Sequence, residues 1–372
     1  MRFLLSGGGT AGHINPALSI AECIKENIPD AKILFAGTPF GMEARLIPEA
    51  GYDFVPITVR GFQRSFAPDD IVKNIKACGN LITAMPRAKQ IIKEFKPDVV
   101  IGTGGYVCGP IMKTATKMGI KCAVHEANAL PGVTIKLVAN KVDVVMLATP
   151  AAAKHLPEGT NWVVTGNPIS SDFFGRNKAD SRKELGIPED KFVVLSYGGS
   201  LGAGKINETV VDLIEWEQSV GGIYHIHSYG RMGKDTFVKS LEEKEIFPNS
   251  NPDLDIREYI NDMATCMTAA DLVICRAGAM TLSQILAIGL PSILIPSPVV
   301  AENHQYKNAM VLEENNAGIV IEQSNLTSEL LIDKVKGLYS DKDKLKTMSE
   351  NAKNMATTDA RERITAEILK LI

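Results

Sequence analysis

Residues 3–16 read Phe3-Leu4-Leu5-Ser6-Gly7-Gly8-Gly9-Thr10-Ala11-Gly12-His13-Ile14-Asn15-Pro16. The apolar run Phe3–Leu5 predicts a short buried strand. A glycine loop follows, and Asn15-Pro16 is expected to open a helix with Leu18, Ile20, Ala21 and Ile24 on one face. Strand, glycine loop and helix together form the anion-receiving unit of α/β proteins. Bare backbone N–H groups and the positive helix end meet a phosphate or a similar oxygen-rich group. A related unit recurs at Phe192–Ala203, FVVLSYGGSLGA. The chain therefore reads as two such halves facing a shared cleft.

Gly7, Gly9 and Gly12 also fit the dinucleotide fingerprint G-x-G-x-x-G, which calls for an acid about 20 residues on to hold a ribose. The second strand-like run, Lys32–Gly37, ends in Gly37-Thr38 with no acid. A nicotinamide oxidoreductase is disfavoured on that ground. No Gly-Lys-Ser/Thr follows the glycines, so the loop is not a P-loop. A tight turn with no ligand is the bland alternative.

The bulk properties bound the rest. A length of 372 residues predicts two or three domains. With 45% hydrophobic and 22% charged residues, a disordered or fibrous chain is excluded. No apolar run approaches the ~20 residues of a membrane span, and Met1-Arg2-Phe3 enters a strand with no signal peptide. The cysteines at 23, 78, 108, 122, 266 and 275 form no C-x-x-C pair, which suits reduced, buried thiols and no zinc framework. Residues 1–165 carry 18 Lys+Arg against 13 Asp+Glu, and residues 166–372 carry 22 against 30. The basic half is the one expected to meet an anionic surface.

Strands are predicted at 2–6, 32–37, 53–59, 98–102, 121–125, 143–147 and 161–165, with helical patterns between most of them. In the second half they fall at 192–197, 223–228, 254–259, 271–275, 291–295 and 318–322. The expected helices there are 181–185, 205–219, 233–244, 261–269, 280–288 and 303–315, closed by two helical stretches, 327–339 and 342–371. This alternation gives two Rossmann-like, doubly wound parallel-sheet α/β domains, with a boundary at Gly166-Asn167-Pro168: 1–166 and 167–372. Such sheets bind ligands beyond the carboxyl ends of their strands. His13, Gly102–Tyr106, His125–Asn128 and Cys275–Thr281 all sit there. Segment 60–96 alternates Phe62, Phe66, Ile71, Ile75, Leu81, Ile82 and Met85 with basic residues. Either it packs on the core or it lies in an anionic membrane interface. Pro86 is expected to bend or restart its helix. Asp253-Leu254-Asp255 and Asp341-Lys342-Asp343 read as surface charge rather than metal ligands.

Seven motifs in this order resemble one family: GGGTAGHINPALSIA at 7–21, GTGGYVCGP at 102–110, HEANALPGVT at 125–134, TGNP at 165–168, YGGSLGA at 197–203, CRAGAMTLSQ at 275–284 and ENHQYKNA at 302–309. The chain resembles the UDP-N-acetylglucosamine:N-acetylmuramyl-(pentapeptide) pyrophosphoryl-undecaprenol N-acetylglucosamine transferases of bacterial cell-wall synthesis, in glycosyltransferase family 28. The resemblance covers nearly the whole chain. It implies the GT-B fold and an inverting transfer of N-acetylglucosamine from UDP-N-acetylglucosamine to the 4-hydroxyl of an undecaprenyl-diphosphate-linked muramyl pentapeptide. It implies no metal, no cofactor and no nucleic-acid partner. The implied location is peripheral, on the cytoplasmic face of the cell membrane, with 60–96 against the anionic surface. The last helix is expected to pack back on the first domain.

Carried over residue by residue, the resemblance makes His13 the base for the acceptor hydroxyl. It assigns the donor to Thr10, Ala11, Gly12, Asn128, Ser170, Ser200, Ile260, Ala279, Met280, Thr281, Gln284 and Gln305. It assigns the acceptor diphosphate to Gly8, Gly9, Gly104, Gly105 and Tyr106. The chain departs from the family at Gln284, where Glu is common, and at Ile169-Ser170, where an Arg often stands. Ala127 and Ile135 replace a usual Gln and Asn. Rival readings are an epimerase acting on UDP-N-acetylglucosamine, a related enzyme with a diacylglycerol acceptor, and a scaffold that keeps the fold without turnover.

Overall fold

The computed structural model describes residues 1–59, 84–300 and 303–372. The chain divides into two compact units, one of Met1–Ile169 with Thr358–Ile372, the other of Ser170–Thr357.

In the first unit the strands are β1 (Arg2–Gly7), β2 (Lys32–Gly37), β3 (Asp53–Pro56), β4 (Val99–Gly104), β5 (Lys121–Glu126), β6 (Val144–Leu147) and β7 (Trp162–Val164). They form a parallel sheet in the order β3-β2-β1-β4-β5-β6-β7. The helices are α1 (Ala11–Asn27), α2 (Glu43–Glu49), α3 (84–95), α4 (Cys108–Lys117) and α5 (Val133–Val138). Both faces of the sheet are covered, so the central strands are continuous apolar runs. Along β1 and β4, Phe3, Leu5, Val99 and Ile101 pack in one core, and Leu4 and Val100 in the other.

In the second unit the strands are β8 (Phe192–Tyr197), β9 (Ile223–Ser228), β10 (Leu254–Arg257), β11 (Leu272–Cys275), β12 (Ser292–Leu294) and β13 (Gly318–Val320). Their order, β10-β9-β8-β11-β12-β13, is again parallel and again reverses beside the first strand. The helices are α6 (Lys178–Leu185), α7 (Gly204–Val220), α8 (Lys234–Glu243), α9 (Met263–Ala269), α10 (Ala279–Ile288), α11 (His304–Glu314), α12 (Ser328–Tyr339) and α13 (Lys342–Asn354). A final helix, α14 (Ala360–Leu369), belongs to the first unit. Its Ile364 and Ile368 are fully buried in the core that holds Phe3 and Leu5.

Three expectations are corrected. The first helix begins at Ala11, not at Asn15-Pro16, and Pro16 lies inside it. Thr10 takes the extended cap conformation, so the helix starts directly after the glycines. Pro16 then costs only the single bond its missing N–H would have made near the helix start. The stretch 342–371 is two helices rather than one, separated at residues 355–359. The division into units puts those two helices on opposite sides of that break. Several strands are also shorter than the apolar pattern predicts; 53–59 pairs only as far as Pro56.

Most of segment 60–96 lies outside the described residues, including Phe62, Phe66, Ile71, Ile75, Leu81 and Ile82. Its described part, α3, buries Ala84, Ala88, Ile91 and Ile92 against the core and exposes Lys89 and Lys93. Pro86 falls in the first described turn. Cys23, Cys108, Cys122, Cys266 and Cys275 are buried and unpaired. Asp253 and Asp255 are engaged with Lys191 and Arg257, and Asp341 caps α13. Among the described residues, no helix is long and apolar enough to cross a membrane.

Candidate active site

β1 and β4 are the neighbours between which the first sheet reverses its order, the place where open α/β sheets hold ligands. Pairing of Leu5 with Ile101 and Ser6 with Gly102 gives way to Gly7 with Gly104. The extra residue is Thr103. A Cβ on Gly7 would lie 1.9 Å from its Oγ1, so only glycine fits beside it. Its hydroxyl donates to the His13 carbonyl at 2.7 Å, and its own carbonyl lies 3.0 Å from His13 Nδ1. A carbonyl oxygen only accepts, so Nδ1 carries the hydrogen in this bond. The neutral ring then keeps its lone pair at Nε2. His13 therefore stands on the first turn of α1, not on a loop as the sequence had suggested.

The two loops touch through glycines. A Cβ on Gly105 would lie 2.2 Å from Gly8 O, one on Gly104 2.8 Å from His13 Nδ1, and one on Gly9 2.9 Å from Tyr106 Cε1. Gly104 and Gly105 also adopt φ of 98° and 79°, the left-handed region that favours glycine. Gly8, Gly9, His13, Gly104, Gly105 and Tyr106 are thus one cluster. Thr10 caps α1, its carbonyl accepting the N–H groups of His13 at 3.1 Å and Ile14 at 3.2 Å. The N–H groups of Ala11 and Gly12 precede the first intrahelical bond and point off the helix end, the geometry that receives an anion.

On the neighbouring strand, β5 ends in His125-Glu126. Glu126 shapes the turn after it: Oε1 accepts from Asn128 N at 2.9 Å and Asn128 Nδ2 at 3.1 Å, and Oε2 accepts from Gly132 N at 2.8 Å. Asn128 is thereby oriented by Glu126, which the sequence places after the strand but gives no role of its own. His125 is fully buried and donates from Nε2 to Gly166 O at 2.9 Å. Burial pushes its pKa down to about 4.

In the second unit the sheet reverses between β8 and β11, where Tyr197 pairs with Cys275. The loop after β8 carries Ser200. It is laced to the loop after β9: Arg231 N bonds Ser200 O at 3.3 Å, and Met232 N bonds Leu201 O at 3.0 Å. A Cβ on Gly202 would meet Tyr229 O at 2.2 Å. After β11, Gly278 is the extended cap of α10, which starts at Ala279. Ala279, Thr281 and Gln284 are half-buried on its first turns, and Met280 turns its side chain inward, 8% exposed. The Ala279 and Met280 N–H groups lie at the positive helix end.

Arg276 buttresses this corner, donating to Ile295 O at 3.0 Å and Pro296 O at 3.1 Å. Burial lowers its pKa. Gln305 Oε1 accepts from Ser297 N at 2.9 Å, which ties α11 to the segment after β12. Ile260 is buried, 3% exposed. Ser170 stands at the first residue of the unit, with Oγ accepting from Asp172 N at 3.3 Å. That bond gives it a local capping role, unlike the helix-end residues 279–281.

Residues 3–147 match the glycosyltransferase family 28 N-terminal domain, and residues 193–364 match the glycosyltransferase family 28 C-terminal domain. The UDP-N-acetylglucosamine--N-acetylmuramyl-(pentapeptide) pyrophosphoryl-undecaprenol N-acetylglucosamine transferase of Acetivibrio thermocellus is 46% identical over 370 residues, covering 100% of this chain and 98% of its own. The protein of the same name from Caldanaerobacter subterraneus subsp. tengcongensis is 42% identical, over 98% of each chain. The crystal structure of Acinetobacter baumannii MurG is similar with a TM-score of 0.74 and 26% identity over 99% of both chains. A UDP-GlcNAc 2-epimerase from Neisseria meningitidis shares the fold at a TM-score of 0.67 but only 12% identity. The chain therefore belongs to glycosyltransferase family 28, in the group of UDP-N-acetylglucosamine--N-acetylmuramyl-(pentapeptide) pyrophosphoryl-undecaprenol N-acetylglucosamine transferases.

Proposed function

We propose that the protein transfers N-acetylglucosamine from UDP-N-acetylglucosamine to the 4-hydroxyl of undecaprenyl-diphosphate-linked N-acetylmuramyl-pentapeptide, with inversion and without a metal. The observation that carries this reading is His13. It is an imidazole on a helix N-terminus at the reversal point of the first sheet, with Nδ1 3.0 Å from Thr103 O. An inverting transfer needs a base for the acceptor hydroxyl, and a neutral imidazole suits that task near pH 7. The glycine loops at 7–12 and 104–106 offer backbone N–H groups to the lipid diphosphate; in the first loop these are the Ala11 and Gly12 N–H groups, which the resemblance had given to the donor, because the Gly9 N–H already meets Glu43. In the second unit, Ser200 and the α10 end at Ala279, Met280 and Thr281 meet the UDP diphosphate, whose growing charge is stabilised by fixed N–H dipoles. Ile260 reads the uracil through its backbone. Gln284 bonds the ribose with neutral rather than charge-assisted hydrogen bonds, and Asn128 and Gln305 meet the sugar. Ser170 replaces a family arginine with a side chain too short to reach far.

The first unit takes the acceptor and the second the UDP-sugar. The protein works as a peripheral enzyme on the cytoplasmic face of the membrane, with 60–96 as the contact to anionic lipid. The exposed Lys89 and Lys93 of α3 support that contact. Replacing the basic and apolar residues of this segment should release the protein from anionic vesicles; undiminished binding would remove it from the account.

The deciding assay incubates purified protein with labelled UDP-N-acetylglucosamine and a soluble lipid-linked muramyl-peptide analogue, with chelator present. Label transfer with release of UDP supports the reaction, the acceptor and metal independence together. Donor binding without transfer to this acceptor would reject it and send the assay to a diacylglycerol acceptor.

A further inference from the structure

Glu43 heads α2 and is completely buried, 0% exposed. Its Oε2 accepts the Gly9 N–H at 3.1 Å. Its Oε1 accepts the Thr38 N–H at 3.0 Å and the Thr38 hydroxyl at 2.6 Å. Room for the carboxylate comes from three glycines. A Cβ on Gly8 would lie 2.6 Å from Oε1, one on Gly41 2.3 Å from Oε2, and one on Gly37 2.6 Å from Cγ. Each of these polar contacts is with a donor, so the site asks for a group that accepts on both oxygens. An ionised carboxylate does that, whereas a carboxamide must turn an NH₂ against an N–H or against the threonine pair. Leaving a buried donor unmatched is costly, and bonds to a charged group are the stronger ones.

We propose that Glu43 is the positioning residue of the acceptor loop. It removes the Gly9 N–H from the groups that can receive an anion, and it fixes the loop so that the Ala11 and Gly12 N–H groups face the ligand. Gly9 is held from the other side by the Tyr106 ring, so the residue is fixed both through its N–H and across its Cα. A diphosphate gains nothing by seating on Gly9, whose N–H already meets a carboxylate. The α1 end is left as the seat. The acid missing from the end of β2 is thus supplied six residues after Gly37, and it acts on the protein's own loop instead of on a ribose. This role rests on the reading that loop 7–12 receives the acceptor's diphosphate.

The test uses the full chain. In the native enzyme, residue-resolved amide exchange should show Gly9 protected and Ala11 and Gly12 fast; equal exchange at all three would overturn the bond. Glu43→Gln should melt cooperatively, speed exchange at Gly9 about tenfold and raise the KM for the lipid acceptor about tenfold, with the donor KM within twofold. Gly8→Ala, which pushes on the carboxylate without altering its charge, should show the same split and serves if Glu43→Gln does not fold. Faster Gly9 exchange with acceptor and donor KM moving together would reject the positioning role. If the native enzyme transfers no sugar at all, the proposed reaction falls, while the exchange measurement still decides whether Glu43 holds the loop.

Discussion

His13 and Thr103 bond each other twice: the His13 ring lies 3.0 Å from the Thr103 carbonyl, and the Thr103 hydroxyl donates 2.7 Å to the His13 carbonyl. Ninety residues apart in sequence, one stands on the first turn of α1, after β1, and the other near the end of β4, the strand paired with β1. The first bond orients the ring and sets which nitrogen can take a proton. The second holds the helix turn that carries the ring.

His13→Ala should lower kcat by about 10²–10⁴. Donor binding should be retained, because the substitution removes a proton acceptor rather than an anchor. Steady-state kinetics at saturating substrates measure this directly. A loss under tenfold would take the base role away from His13.

Two glycines with similar backbone angles should respond differently to the same change. Gly105 and Gly119 have φ of 79° and 71°. A Cβ on Gly105 would strike Gly8 O at 2.2 Å, whereas one on Gly119 meets nothing within 4 Å. Gly119→Ala carries only the left-handed penalty, about 1–2 kcal/mol, and should keep full activity. Gly105→Ala adds a backbone clash inside the site. It should be clearly less stable in urea and at least about tenfold less active, because the loop must shift. Equal behaviour of the two variants would contradict the packing described.

His125 predicts an acid limb in the stability curve. Its folded pKa, about 4, lies below its ordinary value of 6.5 because burial disfavours the charged ring. The unfolded chain therefore binds the extra proton between these values. The stability from this residue is complete above 6.5 and is lost as pH falls towards 4. His227 is shifted in the same direction by burial and by the nearby His225, so more than one proton should contribute. His125→Gln, which can still donate to Gly166 O, should flatten the limb by about one proton, or roughly 1.4 kcal/mol per pH unit. Chemical denaturation at pH 4.5, 5.5 and 7 would reveal it. An unchanged slope would mean the ring is not held neutral.

Arg361 anchors the returning α14. Its guanidinium lies 3.0 Å from Glu26 and 3.2 Å from Glu22 of α1, with the arginine side chain 7% exposed, Glu26 53% and Glu22 38%. Arg361→Met keeps the buried stem and removes the charge. It should cost about 1–3 kcal/mol in unfolding free energy. The cost should shrink in 1 M salt, because the acids are partly in water. A salt-independent loss would assign the effect to packing.

Much of the fold is legible in the sequence, because apolar runs of strand length alternating with helical periodicity can bury both faces only in a parallel sheet. The glycine loops are legible for a local reason too: Gly104-Gly105 and Gly198 announce a backbone that a side chain would obstruct. The start of α1 was misread because Pro16 is a strong local signal. The structure places it on the second turn, where it costs a single bond.

The amino-acid order alone determined the two α/β halves and the glycine loops that follow their strands, both of which follow from short-range periodicity and loop composition. Only the tertiary structure decided how His13 is held, that Glu43 meets the Gly9 N–H, and that Ile364 and Ile368 fill the core of the first unit. Those relations join residues 34 to more than 300 positions apart. They come from parallel strand register, buried hydrogen-bond pairing and the packing of a returning helix, which no local pattern encodes.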